Sequence, residues 1–221
     1  MKIDFHVHTN SSIDSIIDPK ALARKSAELG IIPAIADHNS IGSHARMRAL
    51  KAPFIPAEEI FTDRGDLIGL YINELIPKKT PFLEAIDKIH AQGGLAYLPH
   101  MFDYGRSRKH AGADEAAKVD IVEVFNARCM NKEYNKKAAA FAKAHSLPGA
   151  AGSDSHFFFE FGRTYTKLPD IAPDDINNPK TLLKALKTQN PKLETHTAPF
   201  FVRGTTTIIA MTRKLSRALR K

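Results

Sequence analysis

Histidines and carboxylates recur in short clusters along this chain, and each cluster follows a strand-like run. Lys2-Ile3-Asp4-Phe5-His6-Val7-His8 presents two imidazoles at i and i+2, which project the same way from an extended backbone. Asp37-His38 closes an apolar run, His100 follows Leu95-Ala96-Tyr97-Leu98-Pro99, and Asp154 and His156 repeat the i, i+2 spacing. Glu58 and Glu59 end another such run. Adjacent strand residues face opposite ways, so one of the two can point into a site while the other points out. Asp14 lies in the polar loop that leaves the first strand. Imidazole nitrogen and carboxylate oxygen are ligands for divalent metals, and a carboxylate can bridge two ions because each oxygen takes one. A lone H-x-H is weak; its recurrence at successive strand ends points to a metal site.

Composition narrows the chemistry. The chain has 221 residues, 43% of them hydrophobic, enough for one sizeable core. A single cysteine, Cys129, excludes both a disulfide framework and a thiolate metal cluster, so nitrogen and oxygen donors must hold any metal. Cys129 is expected to be a buried, inert thiol. No secretory signal and no membrane-length apolar run is visible, so the chain reads as cytoplasmic with no membrane span. The net charge of +8 is concentrated in Arg203, Arg213, Lys214, Arg217, Arg220 and Lys221, with no acid among residues 203–221. Such a tail suits nucleic acid, anionic lipid or a phosphorylated ligand, or is simply a solvated helix end. Because it lies outside the region that carries the ligands, it is expected to tune interactions and to take no part in the chemistry.

The elements that must position these residues alternate. Asp18-Pro19 starts a helix, Ala21, Leu22, Lys25, Ala27 and Leu29 continue it, and Gly30 stops it. Strands are expected at residues 31–36, 54–61, 67–72, 95–98, 120–125 and 148–151, besides the first. Helices are expected at 41–50, 81–92, 132–144, 181–187 and 206–221. Strand–helix alternation with short loops implies a parallel sheet with helices outside. Ligands drawn from the first strand to nearly the last converge most easily if the sheet closes, as in α/β barrels whose sites lie at the C-terminal strand ends. Residues 1–200 are expected to form the barrel domain and 201–221 a basic helical tail.

Competing templates fare poorly. There is no G-x-S-x-G elbow and no G-x-x-x-x-G-K-[ST] phosphate loop. His44, His90 and His145 fall within or beside expected helices and read as surface or satisfied core residues. His196 has no supporting context. Arg106, Arg108 and His110 form a basic loop after His100 that suits an anionic substrate or solvent alike.

Taken in order, Asp4-Phe5-His6-Val7-His8-Thr9, Ser12-Ile13-Asp14, Ala36-Asp37-His38-Asn39, Ile55-Pro56-Ala57-Glu58-Glu59-Ile60, Pro99-His100 and Gly152-Ser153-Asp154-Ser155-His156 resemble the polymerase-and-histidinol-phosphatase (PHP) family of metal-dependent phosphoesterases. The resemblance covers roughly residues 1–165. It implies an α/β fold, a distorted TIM-like (β/α)7 barrel, with two or three divalent ions. Carried over by position, the ligands are His6, His8, Asp14, His38, Glu59, His100, Asp154 and His156. Glu59, Asp37 and His38 are assigned to catalysis. A histidine that many members carry after the strand at 120–125 has no counterpart here, where Asn126 is the nearest polar residue. Residues 123–128 and 161–165 look like the subgroup with a short PHP-associated C-terminal extension.

The activity implied is hydrolysis of a phosphate ester by a metal-bound hydroxide, with Glu59 bridging and Arg106, Arg108 and Arg163 clamping the phosphate. Zinc, manganese and iron all accept this donor set. The expected partner is a phosphorylated small molecule or a nucleotide, with nucleic acid as an option through the tail. Two rivals remain open: a non-catalytic RNA- or protein-binding module on the same barrel, and metal-assisted amide hydrolysis. The first would require ligands to have been lost; against the second, no lysine follows a strand to serve as a bridging carbamate.

Overall fold

The computed structural model describes residues 1–106, 109–169 and 173–219. Its strands are β1 (Lys2–Val7), β2 (Ile31–His38), β3 (Ile55–Thr62), β4 (Gly65–Leu70), β5 (Leu95–Leu98), β6 (Ile121–Asn126), β7 (Gly149–Gly152), β8 (Tyr165–Lys167) and β9 (Lys192–Glu194). The helices are α1 (Pro19–Leu29), α2 (His44–Ala49), α3 (Phe82–Ala91), α4 (Ala113–Ala116), α5 (Lys132–Ala144), α6 (Pro179–Thr188) and α7 (Val202–Ala218). Local chemistry explains the helix ends. Asp18 accepts hydrogen bonds from the Lys20 and Ala21 N–H groups, Pro19 needs no partner there, and Gly30 ends α1 with φ 61°. Asn178-Pro179 starts α6 in the same way.

One sheet runs β7-β6-β5-β4-β3-β2-β1-β8-β9. Its backbone pairs are parallel at β1–β2, β2–β3, β5–β6 and β6–β7. The expectation of a wholly parallel sheet fails at β4, which is antiparallel to both neighbours. The cause is the turn Asp63-Arg64: two residues can close a hairpin but cannot make the crossover that a parallel pair needs. Past the end of β7 the chain returns to β1. There Val7 bridges Ser155 in parallel, His8 N–H donates to Ser155 O (3.0 Å), and Asp154 N–H donates to His6 O (2.8 Å). The sheet is therefore a nearly closed, distorted TIM-like barrel. At the other end of β1, Lys2 and Ile3 pair instead with β8, and β9 extends that edge. Neither short strand is legible in the sequence.

Alternation sorts the side chains. Ala34 and Ala36 of β2, Ile55 and Ala57 of β3, Ile68 and Leu70 of β4, and Tyr97 of β5 share one buried cluster with Phe5. Small alanines leave room for the Phe5 and Tyr97 rings, which stack 5.8 Å apart. Ile60, Leu67, Ala96, Leu98 and Val122 face outward under α3 and α5. Val7, Ile31 and Ile35 pack against Leu22 of α1 and Met47 of α2. The inward row then leads up to the site: Ala34 and Ala36 precede His38, and Ile55 and Ala57 precede Glu59. Among the described residues no helix is long and apolar enough to cross a membrane.

The α3–β5 connection is closely packed. A Cβ on Gly94 would lie 2.5 Å from the Leu70 carbonyl oxygen and 3.1 Å from Ile89 O. Backbone cannot retreat as a side chain can, so Gly94→Ala should cost about 1–3 kcal/mol. Urea unfolding of the variant measures this, and a wild-type midpoint would show that the turn relaxes freely.

Candidate metal centre

The upper ends of the inward rows converge on one buried pocket. His6, His8, Asp154 and Glu59 are essentially inaccessible to solvent. His6 Nε2 and His8 Nε2 face each other at 3.0 Å. Glu59 Oε1 lies 3.6 Å from His6 Nε2 and 3.0 Å from His100 Nε2, while Oε2 lies 3.5 Å from His8 Nε2. Asp154 Oδ1 is 3.4 Å from His8 Nε2. Asp14 Oδ2 sits between His38 Nε2 (3.4 Å) and His156 Nε2 (3.3 Å). His100 and Asp154 hold this geometry with φ of 28° and 53°, backbone conformations that non-glycine residues seldom adopt and that gather at functional sites. The structure thus brings His6, His8, Asp14, His38, Glu59, His100, Asp154 and His156 together.

A surrounding set of hydrogen bonds decides which ring nitrogen each histidine presents. Asp37 accepts from Thr9 N–H (2.6 Å), Thr9 Oγ1 (2.7 Å), Ser12 Oγ (2.8 Å) and Ser43 Oγ (2.6 Å). Four bonds fill the lone pairs of Asp37, the residue expected among the catalytic groups. Ser12 gives its single proton to Asp37 and so must accept from His8 Nδ1–H at 3.2 Å, which leaves His8 Nε2 with a free lone pair. Asp154 O likewise accepts from His156 Nδ1–H (2.9 Å).

Glu123, which sequence reasoning passed over, does the same for His6. Its carboxylate accepts from His6 Nδ1 (3.1 Å), Tyr97 Oη (3.2 Å), His100 N–H (2.8 Å) and Asn126 Nδ2 (2.9 Å). It packs so tightly on β7 that a Cβ on Gly152 would lie 2.2 Å from Glu123 Oε1 and 2.6 Å from His6 Cβ. Asn126 is bound up in this set and also reaches Asp154 Oδ2 (3.3 Å).

A second residue was missed for a topological reason. Asp66 stands at the start of β4, and because β4 runs antiparallel its first residues lie at the upper rim. Donor atoms of Asp66, Glu59 and His100 lie within 4.8 Å of one another, as do those of His8, His38 and His156, of His6, His8 and Glu59, and of His6, His100 and Asp154. The signal available was the alternation Asp66, Ile68, Leu70 on a hairpin whose turn already implied reversal.

The substrate-binding arginines divide. Arg106 reaches the pocket: its Nη2 is 2.5 Å from Asp154 Oδ2 and its Nε 3.0 Å from Asp103 Oδ2. Arg108 lies outside the described residues. Arg163 is exposed and lines a small cleft with Ala127, Ser153, Glu160 and His196. Its neighbour Gly162 packs against Leu29 and Ile31, at the end of β2 opposite His38. The other histidines have ordinary partners: His44 Nε2 donates to Ala57 O (3.0 Å), His90 pairs with Asp120 (2.8 Å), and His145 Nδ1 donates to Phe141 O (2.9 Å). Cys129 is buried, and burial pushes its thiol up to about 12.

Charge in the pocket is mutually compensated. Burial opposes ionisation of Glu59, but His38 and His6 outweigh it and hold the carboxyl well below its usual range. Asp154 is held low against burial by Arg106 and His6. His6 and His38 are raised in turn by these carboxylates, whereas burial, His156 and His38 push His8 well down and keep it neutral. Glu59 Oε2, Asp154 Oδ1 and Asp14 Oδ1 are buried yet form no hydrogen bond. Glu59 Oε2 is 2.8 Å from His38 Nδ1 in an orientation that makes none. Free acceptors converging with free imidazole nitrogens are a donor set that divalent cations satisfy.

The nearly closed barrel and its pocket are those of α/β barrels of the PHP type. A family model described as PHP-associated matches residues 132–191, a stretch that begins at α5 and includes Asp154 and His156. The chain is 40% identical over 204 residues to the uncharacterized protein MJ0417 of Methanocaldococcus jannaschii, covering 87% of this chain and 82% of that one. A two-domain protein of Bacteroides vulgatus containing a predicted PHP-like metal-dependent phosphoesterase superposes with TM-score 0.69 at 19% identity over 89% of this chain, which spans 65% of that structure. Endonuclease Q, in complex with a 27-mer duplex bearing an abasic lesion at the active site, gives TM-score 0.55 at 14% identity, covering 86% of this chain and 57% of that one. The chain belongs to the PHP domain family with a PHP-associated C-terminal region.

Glu58, neighbour of Glu59, faces away from the pocket. Its Oε2 accepts from Ile76 N–H (2.9 Å), and burial pushes its carboxyl from 4.5 up to about 7. Between those values the unfolded chain releases a proton that the folded chain keeps, so this residue lowers stability as pH rises through the window. Glu58→Gln keeps the acceptor for Ile76 and removes the ionisation. It should stabilise the protein at pH 8 by up to ~3 kcal/mol and change little at pH 4. Urea denaturation at both values measures the difference; an equal effect at each would reject the assignment.

Proposed function

We propose that this chain is a metal-dependent phosphoesterase acting on a phosphomonoester, a nucleotide or an oligonucleotide end. The observation that carries the reading is the convergence of His6 Nε2 and His8 Nε2, 3.0 Å apart, with carboxylate oxygens of Glu59 and Asp154 that have no hydrogen-bond partner. A divalent cation among these atoms would satisfy both imidazole nitrogens and the carboxylate oxygens at once. Two or three divalent ions, zinc, manganese or iron, suit the donors. His6, His8, Asp154 and Glu59 would hold one, Glu59, His100 and Asp66 a second, and Asp14, His38 and His156 a third. Bound there, such ions acidify a water molecule and offset the charge that grows on phosphate oxygens during hydrolysis.

The chain's own groups supply orientation and further charge. Glu123 and Ser12 keep His6 and His8 in the tautomer that presents Nε2 inward. Glu59 serves as the shared carboxylate, since its two oxygens face different histidines. Arg106, already beside Asp154, offers a fixed guanidinium to a phosphate oxygen at the pocket edge. The completeness of the donor set favours catalysis over a binding module on the same barrel.

Purified protein reconstituted with zinc or manganese should carry two or three ions per chain by elemental analysis. It should also hydrolyse members of a panel of phosphomonoesters, nucleotides and oligonucleotides. Glu59→Gln should lower ion content and cut turnover roughly a thousandfold, equivalent to ~4 kcal/mol of barrier. Glu58→Gln should be mild by comparison. Less than one ion per wild-type chain, or greater damage from Glu58→Gln, would sink the reading.

A further inference from the structure

The C-terminal helix is tied to the rim of the pocket at several points along its length. At its base, Ala198 N–H donates to Ala127 O (2.7 Å) and Arg128 Nη2 donates to Val202 O (3.3 Å), which ties the start of α7 to the loop after β6. Arg128 is itself buried and paired with Glu160 (2.9 Å), whose other oxygen accepts from His156 N–H (2.9 Å) and Phe157 N–H (3.0 Å). From the second residue of the helix, Arg203 Nη1 reaches Asp103 Oδ2 at 3.1 Å. Asp103 is buried and also holds Arg106, the arginine on Asp154.

Ten residues further on, a rise of about 15 Å, Arg213 Nη1 donates to three backbone carbonyls: Ser12 (3.2 Å), Ile13 (3.1 Å) and Ser15 (2.8 Å). Those carbonyls flank Asp14, the carboxylate between His38 and His156. In barrel order the helix therefore passes from the rim of β5 and β6 to the rim of β1, across the sector closed by β7.

We propose that α7 is a strap belonging to the site, in which Arg213 fixes the loop that presents Asp14 and Arg203 fixes Arg106 through Asp103. Both are positioning residues. A charged donor shared by three carbonyls is stronger than neutral hydrogen bonds, and without it those dipoles repel one another and the loop loses its tie to the helix. Among the described ion pairs, Asp103 without Arg203 keeps Arg106 as its counter-charge, and the Arg106 fork is then free to turn away from Asp154. Arg203 and Arg213 are thus committed within the molecule, and of the tail's basic residues they are not the ones offered to an outside partner. The inference rests on the metal-centre reading of the pocket and adds to it the element that shapes one flank.

The test uses the full chain as wild type, Arg213→Ala, Arg213→Lys and Arg203→Ala. Three readouts are needed: cobalt(II) titration of metal-free protein, hydrogen exchange of residues 10–17, and kcat and KM for p-nitrophenyl phosphate. Arg213→Ala should weaken one class of cobalt site about tenfold, leave the others unchanged and speed exchange of the loop. Arg213→Lys, keeping a cation in place, should recover part of both. Arg203→Ala should raise KM several-fold with cobalt binding and loop exchange as in wild type. Unchanged exchange and unchanged cobalt affinity in Arg213→Ala would overturn the proposal. So would a loss of all cobalt sites together, which marks general unfolding. If wild type bound no cobalt, the phosphoesterase reading would fail by itself, and loop exchange alone would decide whether Arg213 holds the loop.

Discussion

Buried negative charge is the constraint on which this structure depends. Glu59 and Asp154 sit where water does not reach, and a solitary carboxylate there would take up a proton rather than remain charged. They stay ionised because His6, His38 and Arg106 surround them. That compensation uses protons and a guanidinium where the donor geometry suits divalent ions. The same crowding then explains why the barrel has its odd features at this end. The left-handed backbones of His100 and Asp154 and the return of the chain from β7 to β1 all carry donors to one point.

Holding such a cluster requires that each imidazole have one permitted face. The outer carboxylates do this work: Asp37 through Ser12 for His8, and Glu123 directly for His6. Glu160 performs a related task on the backbone of the His156 loop, with Arg128 as its buried partner. Carboxylates are suited to it because each oxygen accepts two hydrogen bonds, so a single residue can fix several neighbours at once. Asp37 therefore occupies a motif position next to His38 without facing the pocket. Its place in the sequence and its place in the chemistry differ by one strand face.

What was legible beforehand follows from which physics is local. Ligands at the ends of β1, β2, β3 and β5 could be read because alternation and strand termini are short-range properties. Alternation required only that one of Glu58 and Glu59 face inward; the family motif selected Glu59, and it is Glu59 that lies beside His100 while Glu58 binds Ile76 N–H. Asp66 is hidden because donors at the barrel rim follow a parallel strand but precede an antiparallel one such as β4. Glu123 escaped because a carboxylate inside the strand Ile121–Asn126 carries no spacing signal; only the neighbouring rings reveal its purpose.

The tail shows a further limit. Residues 203–221 advertise their charge, and a basic run with no acid reads as a surface for something else. What composition cannot show is that a guanidinium can be satisfied by carbonyls two hundred positions earlier in the chain, or by a carboxylate one hundred positions earlier. Arg203 and Arg213 lie ten residues apart on α7, about 80° apart around its axis, and both side chains reach the barrel rim. Ile208, Met211, Leu215 and Leu219 lie on exposed ground. A helix with no acid must find negative partners or remain solvated, and here the barrel rim provides them through Asp103 and the carbonyls around Asp14. The positive charge that looked like an address for an outside ligand is in part the counterweight to the acidic pocket it crosses.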